Sequence, residues 1–358
     1  MARTARADVF SPDEIAILHV VCRVVRRCYL FGDDPLTGRN YDHRKSWVVH
    51  QLELMGACMG IDVLCYAVLS NHCHLVLRSR PDVVKVWDDR EIARRWLTLC
   101  PKRKLPDGSA KPPSEAELNA ILNNAKKLSQ LRSRLSDISW LVRLLCQRIA
   151  QRANAEEDEA GKFWRSRFRA VRLLDEAAIL ACAAYVDLNP IRAAMAETIE
   201  GSDFTSAQLR TQALVNATPD NSSCAASGND CVRSPDRFLS PVQIDELLDP
   251  LGARPSSQSE RCSDKGFLPM TSAAYLDLLD WTARQIAPGK RGATPNETPA
   301  IFERLGISAE VWCELVSGFG RLFSVVAGRP QSVDDHRSLR RRQRSYLKQT
   351  TRELLTVQ

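Results

Sequence analysis

The chain reads as an α+β protein. Three observations predict this: a β-branched apolar run from Ile17 to Val25, two more strand-like runs within residues 61 to 80, and charged helical patterns through much of the remainder. At 358 residues, 44% apolar and 26% charged, the sequence exceeds one typical domain and can bury a sizeable core.

Taken in order, residues 11 to 30 predict a strand and its turn, and residues 44 to 60 a helix with Trp47, Leu52, Leu54, Met55 and Met59 as apolar members. Residues 61 to 80 predict two strands joined through Ser70-Asn71. In the second of these, His72 and His74 flank Cys73. Strand side chains alternate faces, so both imidazoles point the same way and can share a divalent metal ion. A ligand-free histidine pair satisfies the same pattern. From Val83 to about Ala155 the pattern is helical and charged, broken by the loop Cys100 to Gly108, with Ser114 and Glu117 at capping-box spacing. Leu141, Leu144, Leu145 and Ile149 mark one helix face. Part of this stretch, near 85–155, reads as an insertion.

Arg165 to Leu173 predicts a further strand. Phe163, Trp164 and Phe168 alternate there with Arg165, Arg167, Arg169 and Arg172. Guanidinium groups bind phosphate and aromatic rings stack on splayed bases, although core-anchoring aromatics with solvated arginines fit equally. Asp175 as N-cap, Glu176 in the first turn and the alanines that follow predict a helix from Asp175 to Leu188, which Pro190 stops at Asn189. Tyr185 and Asn189 are four apart and share a face near its end. A phenol and an amide so placed can act as nucleophile and metal ligand. A packed tyrosine before a helix-ending Asn-Pro is the alternative.

Residues 211–268 read as a polar linker, richest in Ser, Asn and Asp from Thr218 to Asn229, with one short helix from Pro241 to Leu248. Helical pattern resumes at Met270, and residues 269–330 form a C-terminal helical region. Its Gly306 to Ser308 break suits a helix-turn-helix or a bundle packed on the preceding part. Residues 331–358 form a basic tail. Between 321 and 358, nine Arg or Lys stand against three acids, a net +6 out of the chain's +7. That suits nucleic acid, or a solvated end.

None of the twelve cysteines forms a Cys-x-x-Cys pair, which reads as reduced thiols in a cytosolic protein. The first residues lack an apolar signal core, and the longest apolar helical run, Ala177 to Val186, is far below the ~20 residues of a membrane span. A cytoplasmic protein without membrane contact is the expectation. The sequence holds no phosphate-binding Gly-x-x-x-x-Gly-Lys-Ser/Thr loop.

Val68 to Leu77, Phe163 to Phe168 and Ala184 to Ala193, with the opening strand Ile17 to Val25, resemble in order the single-tyrosine HUH transposases, and most nearly their REP-associated tyrosine branch. The resemblance spans roughly residues 11 to 205, and Cys73 stands where that family usually has a bulky apolar residue. It implies a ferredoxin-like antiparallel sheet with packed helices, here followed by the C-terminal helical region. The catalytic domain would occupy residues 1–210. It further implies His72 and His74 as metal ligands, Tyr185 as nucleophile and Asn189 as a third ligand. Mg2+ or Mn2+ would be the metal, and single-stranded or hairpin DNA the substrate. Trp164, Arg165, Arg167, Arg169 and Arg172 would contact that DNA. The activity implied is nicking and rejoining through a 5'-phosphotyrosine. A non-catalytic hairpin binder and a water-using phosphodiesterase are the alternatives. Relatives act as monomers or as homodimers that exchange the tyrosine helix, and both remain open.

Overall fold

A computed structural model of the chain describes residues 9–25, 31–35, 38–106, 110–217, 234–245, 252–286, 299–340 and 345–356. Strand β1 (Ile17–Arg23) leads into helix α1 (His43–Cys58), then β2 (Ile61–Val68) and β3 (His72–Ser79). Helices α2 (Pro81–Val86), α3 (Asp89–Leu99), α4 (Glu115–Leu122), α5 (Ala125–Ser136) and α6 (Ile138–Glu157) precede β4 (Arg169–Leu173). After it come α7 (Glu176–Asp187), α8 (Asn189–Arg192), α9 (Ser206–Ala217), α10 (Ser272–Ile286), α11 (Ala300–Leu305) and α12 (Ala309–Leu322). Strand β5 (Val326–Ala327), α13 (Pro330–Arg340) and α14 (Gln349–Thr356) complete the described chain.

The sheet order is β2-β3-β1-β4-β5. The first four strands are antiparallel throughout, which is the ferredoxin-like arrangement. The short β5 joins β4 in parallel and makes the sheet mixed. Alternation along β1 divides its residues between two layers. Leu18, Val20 and Cys22 enter one core with residues of α1 and α6, whereas Ile17 and His19 face α7 and α12. Every residue of β2 is buried, as a strand covered on both faces requires. Helices α2 to α5 form a small bundle beside α1 and α6. The expected capping box is present, Ser114 and Glu117 serving each other's backbone at the start of α4.

The segment that composition marks as a polar linker is partly folded. Its central stretch, Thr218 to Asn229, with Cys224 and Cys231, lies outside the described residues. Phe238, Leu239, Val242, Phe267 and Leu268 are buried. Pro241 to Asp245 is not helical, because the Ile244 amide donates to Leu268 O at 2.8 Å and Val242 O accepts from Phe267 and Leu268. Asp62 ties this segment to the sheet. It accepts from Arg78 and, at 2.7 Å, from Ser263. Burial alone would raise its carboxyl, but Arg78 and Arg80 outweigh that and hold it below the ordinary range. Composition could not show these anchors because the partners lie on distant strands.

The C-terminal helices pack on the sheet and do not stand apart. Gly306 takes a left-handed conformation that ends α11, and Ser308 caps α12. The tail is folded in part as well, since Thr351 Oγ1 donates to Leu322 O at 3.1 Å and Arg352 pairs with Asp334 at 2.7 Å. Arg341, Arg342 and Arg344 lie outside the described residues. Among the described residues no helix is long and apolar enough to cross a membrane.

Helix α7 is held at both ends. Asp175 accepts from Ala178 N at its start, and Pro190 enters the separate short helix α8 after the break at Leu188. Near its end, buried Asp187 accepts from Ser206 Oγ at 2.5 Å, Ala207 N at 3.1 Å and Tyr275 Oη at 2.7 Å. Burial raises this carboxyl above its ordinary value, against the pull of Ser206 and Tyr275. Asp187→Ala should therefore cost about 2–4 kcal/mol, because it strands two hydroxyls and an amide. Urea unfolding would measure this, and a loss within error of zero would show that the network does not anchor α7.

Candidate functional site

Strand alternation aims His72 and His74 at the α7 face, while Cys73 between them enters the opposite core. The two histidine rings lie 4.8 Å apart. Tyr185 comes from α7 with its ring 5.4 Å from that of His74. Asn189, one turn later and buried, puts its amide 3.3 Å from His74 Nε2. All four residues expected at the chemistry are thus brought together within one chain.

A third imidazole joins them. His19 on β1 is buried and sits diagonally across the β1–β3 pairing from His74. Its Nε2 lies 2.8 Å from His74 Nδ1, so the two rings share one hydrogen. Its Nδ1 is buried and has no hydrogen-bond partner among the described residues. A polar residue on the alternating face of an apolar strand was the only sequence signal for it.

Burial pushes His19 down to about 3, with Arg169 and His72 adding to the shift. His72 falls to about 4, from burial and then Arg23. His74 falls well below the usual histidine value for the same leading reason. Neutral imidazoles are the form that binds metal. His72 Nδ1 lies 2.6 Å from Asn71 Oδ1, a hydrogen bond that orients the ring and leaves Nε2 as the lone-pair nitrogen. Two neutral imidazoles and an amide oxygen would suit an ion that keeps open positions; the Asn189 amide nitrogen lies on His74 Nε2, so the amide would turn its oxygen toward the site for His72, His74 and Asn189 to hold a divalent metal. Among the described residues no three His, Cys, Asp or Glu side chains gather in a metal-ready group.

His19, His72, His74 and Tyr185 open into a cavity of about 920 Å³. Six of its described lining residues are arginines (Arg23, Arg165, Arg167, Arg169, Arg192 and Arg321), and none is Asp or Glu. The strand extension before β4 brings in two of them: Arg165 N donates to Arg23 O at 2.9 Å, which seats the segment beside β1. Arg192 stacks on Tyr185, its guanidinium carbon 4.7 Å from the ring centre.

Not every residue of the Phe163–Arg172 segment faces the cavity. Phe168 lines it, but Phe163 is buried and Trp164 donates its indole N–H to Cys146 O at 2.7 Å. Both of those rings anchor the segment. Arg172 is paired with Glu14 at 2.8 Å and is absent from the cavity lining. Arg169 lines the cavity while donating to Gly320 O and Phe323 O. In the sequence Arg321 reads only as part of the basic 321–358 stretch, and Arg23 and Arg192 are not singled out, because nothing local distinguishes them from other arginines.

No protein-family model matches the chain, and no curated protein matches it. Among solved structures, one titled as a REP-associated tyrosine transposase bound to a REP hairpin aligns with a TM-score of 0.34 and 10% identity, over 65% of this chain and 94% of that one.

The lowered histidines link stability to pH. The unfolded chain takes up protons near the ordinary value of 6.5 that the folded chain refuses until about 3 to 4. Their stabilisation is complete above pH 6.5 and is lost as pH falls toward the folded values, by about 2 kcal/mol per ring at pH 5. Urea midpoints at pH 7 and pH 5 should differ accordingly, and His19→Phe should narrow the gap. An equal gap in the variant would contradict this account of His19.

Proposed function

We propose that the chain is a metal-assisted DNA transposase that nicks and rejoins single-stranded or hairpin DNA through Tyr185. One observation carries this reading: a helix-borne phenol stands beside neutral histidines in a cavity lined by six arginines and no carboxylate. Such a cavity favours a polyanion. The phenol gives it a nucleophile suited to phosphodiester exchange.

In the proposed step, Tyr185 Oη attacks the scissile phosphorus. A new O–P bond forms as the bond from phosphorus to the 3' oxygen breaks. The phenol gives up its proton and the departing 3' oxygen takes one, so the step consumes no net proton. It leaves a 5'-phosphotyrosine and a free 3'-hydroxyl. The covalent link retains the phosphodiester energy, so a 3'-hydroxyl can reverse the step at a new junction without ATP. Mg2+ or Mn2+, held by His72, His74 and Asn189, would polarise the phosphodiester and orient it for in-line attack.

The chain's own residues supply the rest. Arg23, Arg165 and Arg167 would track the backbone. Arg192, stacked on the phenol, would favour the negative charge that Tyr185 gathers as its proton leaves. Single-stranded or hairpin DNA suits the site because an attacking phenol must reach an unstacked backbone. Arg169, Arg172 and Trp164 would act by shaping the segment that presents these groups.

The test is a denaturing gel of the full chain with labelled single-stranded oligonucleotides from the gene's own flanks, with and without Mn2+. A slow-migrating adduct should appear only with metal. Tyr185→Phe should abolish it while hairpin binding stays within about twofold. His72→Ala should lower its rate by at least 100-fold, within the range of losses that follow disruption of a catalytic constellation. Full cleavage by Tyr185→Phe would defeat the reading in favour of water as nucleophile. Binding without cleavage by the unaltered protein would favour a non-catalytic hairpin binder.

A further inference from the structure

The last turn of α12 reaches into the site from a region more than a hundred residues downstream of Tyr185. Phe319 is fully buried, with its ring 5.6 Å from that of Tyr185 and 5.8 Å from that of His19. It therefore fixes one side of the phenol. The next residue has no side chain, and space demands that. A Cβ added at Gly320 would stand 3.0 Å from Tyr185 Oη and 3.7 Å from Cζ. The phenol would have to move to accommodate it.

The same turn holds two of the cavity arginines. Ser317 O accepts from Arg192, Gly320 O accepts from Arg169 at 3.0 Å, and Phe323 O accepts from Arg169 as well. Gly320 O and Phe323 O lie at the helix C-terminus, where carbonyls carry partial negative charge and lack partners within the helix, so a guanidinium group is favoured there; Ser317 O lies one turn earlier. One turn of helix thus touches the phenol, the histidine behind it and the arginines on either side.

We propose that the end of α12 is a working part of the reaction site, in which Phe319 and Gly320 are positioning residues that set the direction of attack by Tyr185. The inference rests on the reading of Tyr185 as nucleophile. It assigns the C-terminal region a role in the chemical step, separate from any role in DNA choice.

The experiment uses the full chain with the oligonucleotide and Mn2+ of the adduct assay, comparing Gly320→Ala and Phe319→Leu with the unaltered protein. Gly320→Ala should lower the rate constant for adduct formation at saturating DNA by about 3- to 10-fold, as expected when a nucleophile is shifted by a few tenths of an ångström from its line of attack. The Kd for the oligonucleotide and the thermal midpoint should stay unchanged, which separates positioning from folding. Phe319→Leu keeps an apolar side chain and should give a smaller loss of the same kind. Unaltered rates in both variants, with an adduct still formed on Tyr185, would overturn the inference and leave the proposed activity standing.

Nitration of Tyr185 by tetranitromethane, read by peptide mass spectrometry, tests the same packing without turnover. Phe319→Leu should raise it at least threefold over the unaltered protein. Equal nitration in the two proteins would overturn the inference even if the unaltered protein formed no adduct, an outcome that would separately defeat the proposed activity.

Discussion

The candidate site depends on the packing of α7 against the second face of the sheet. The first face is filled by α1 and α6, so the histidines of β1 and β3 are buried only because another helix covers the side they point to. An alanine-rich helix suits that task, since small side chains let its axis lie close to the strands. Close approach desolvates the imidazoles and holds them neutral, and it brings Tyr185 to their edge. A buried polar group needs a partner. His19 and His74 meet part of that need with each other. Asp187 meets it at the helix end by gathering Ser206, Ala207 and Tyr275. The geometry that makes the site thus follows from what burial of this face demands.

Charge follows a second logic. Arginine held by backbone carbonyls remains charged, and carbonyl partners leave its field uncancelled by any opposing ion. Arg169 and Arg192 are held in this way, and the described lining of the cavity contains no Asp or Glu. By contrast, Arg78, Arg80 and Arg172 face carboxylates and serve the fold. Arg321 stands between the two groups, since it lines the cavity and also pairs with Glu314, whose carboxylate is not part of the described lining.

Much of this was legible in the sequence for reasons of period and capping. The alternation of β1 and β3, the Asp175 cap, the Ser114–Glu117 box and the four-residue spacing of Tyr185 and Asn189 are local features, and each appears in the fold. What was not legible is what depends on distant partners. Trp164 looks like a base-stacking ring until its indole is found on Cys146 O. Arg172 looks like its neighbours until strand geometry turns it toward Glu14. The polar segment after α9 looks like a free linker, yet its few apolar residues bridge β2 and are locked by the Asp62 network. Phe319 reads only as an apolar member of the C-terminal helical pattern and Gly320 carries no signal, because a Gly-Phe-Gly run inside a helix pattern says nothing of a tyrosine far upstream.

The same packing bears on how many chains one reaction needs. Tyr185 meets His74 of its own chain, and α7 lies between the sheet on one side and α12 on another. Exchange of α7 between two copies would have to rebuild both contacts from the partner's side, among them those of Leu180, Ala184, Leu315 and Phe319. The Asp187 network and the contacts of Phe319 and Gly320 with the phenol would have to re-form in the same way. A single chain already brings Tyr185, His72, His74 and Asn189 together beside the cavity arginines. Because α12 and the sheet cover α7 from two sides, an exchange of α7 would have to recover both coverings at once, which ties the two packing faces of this helix into one unit.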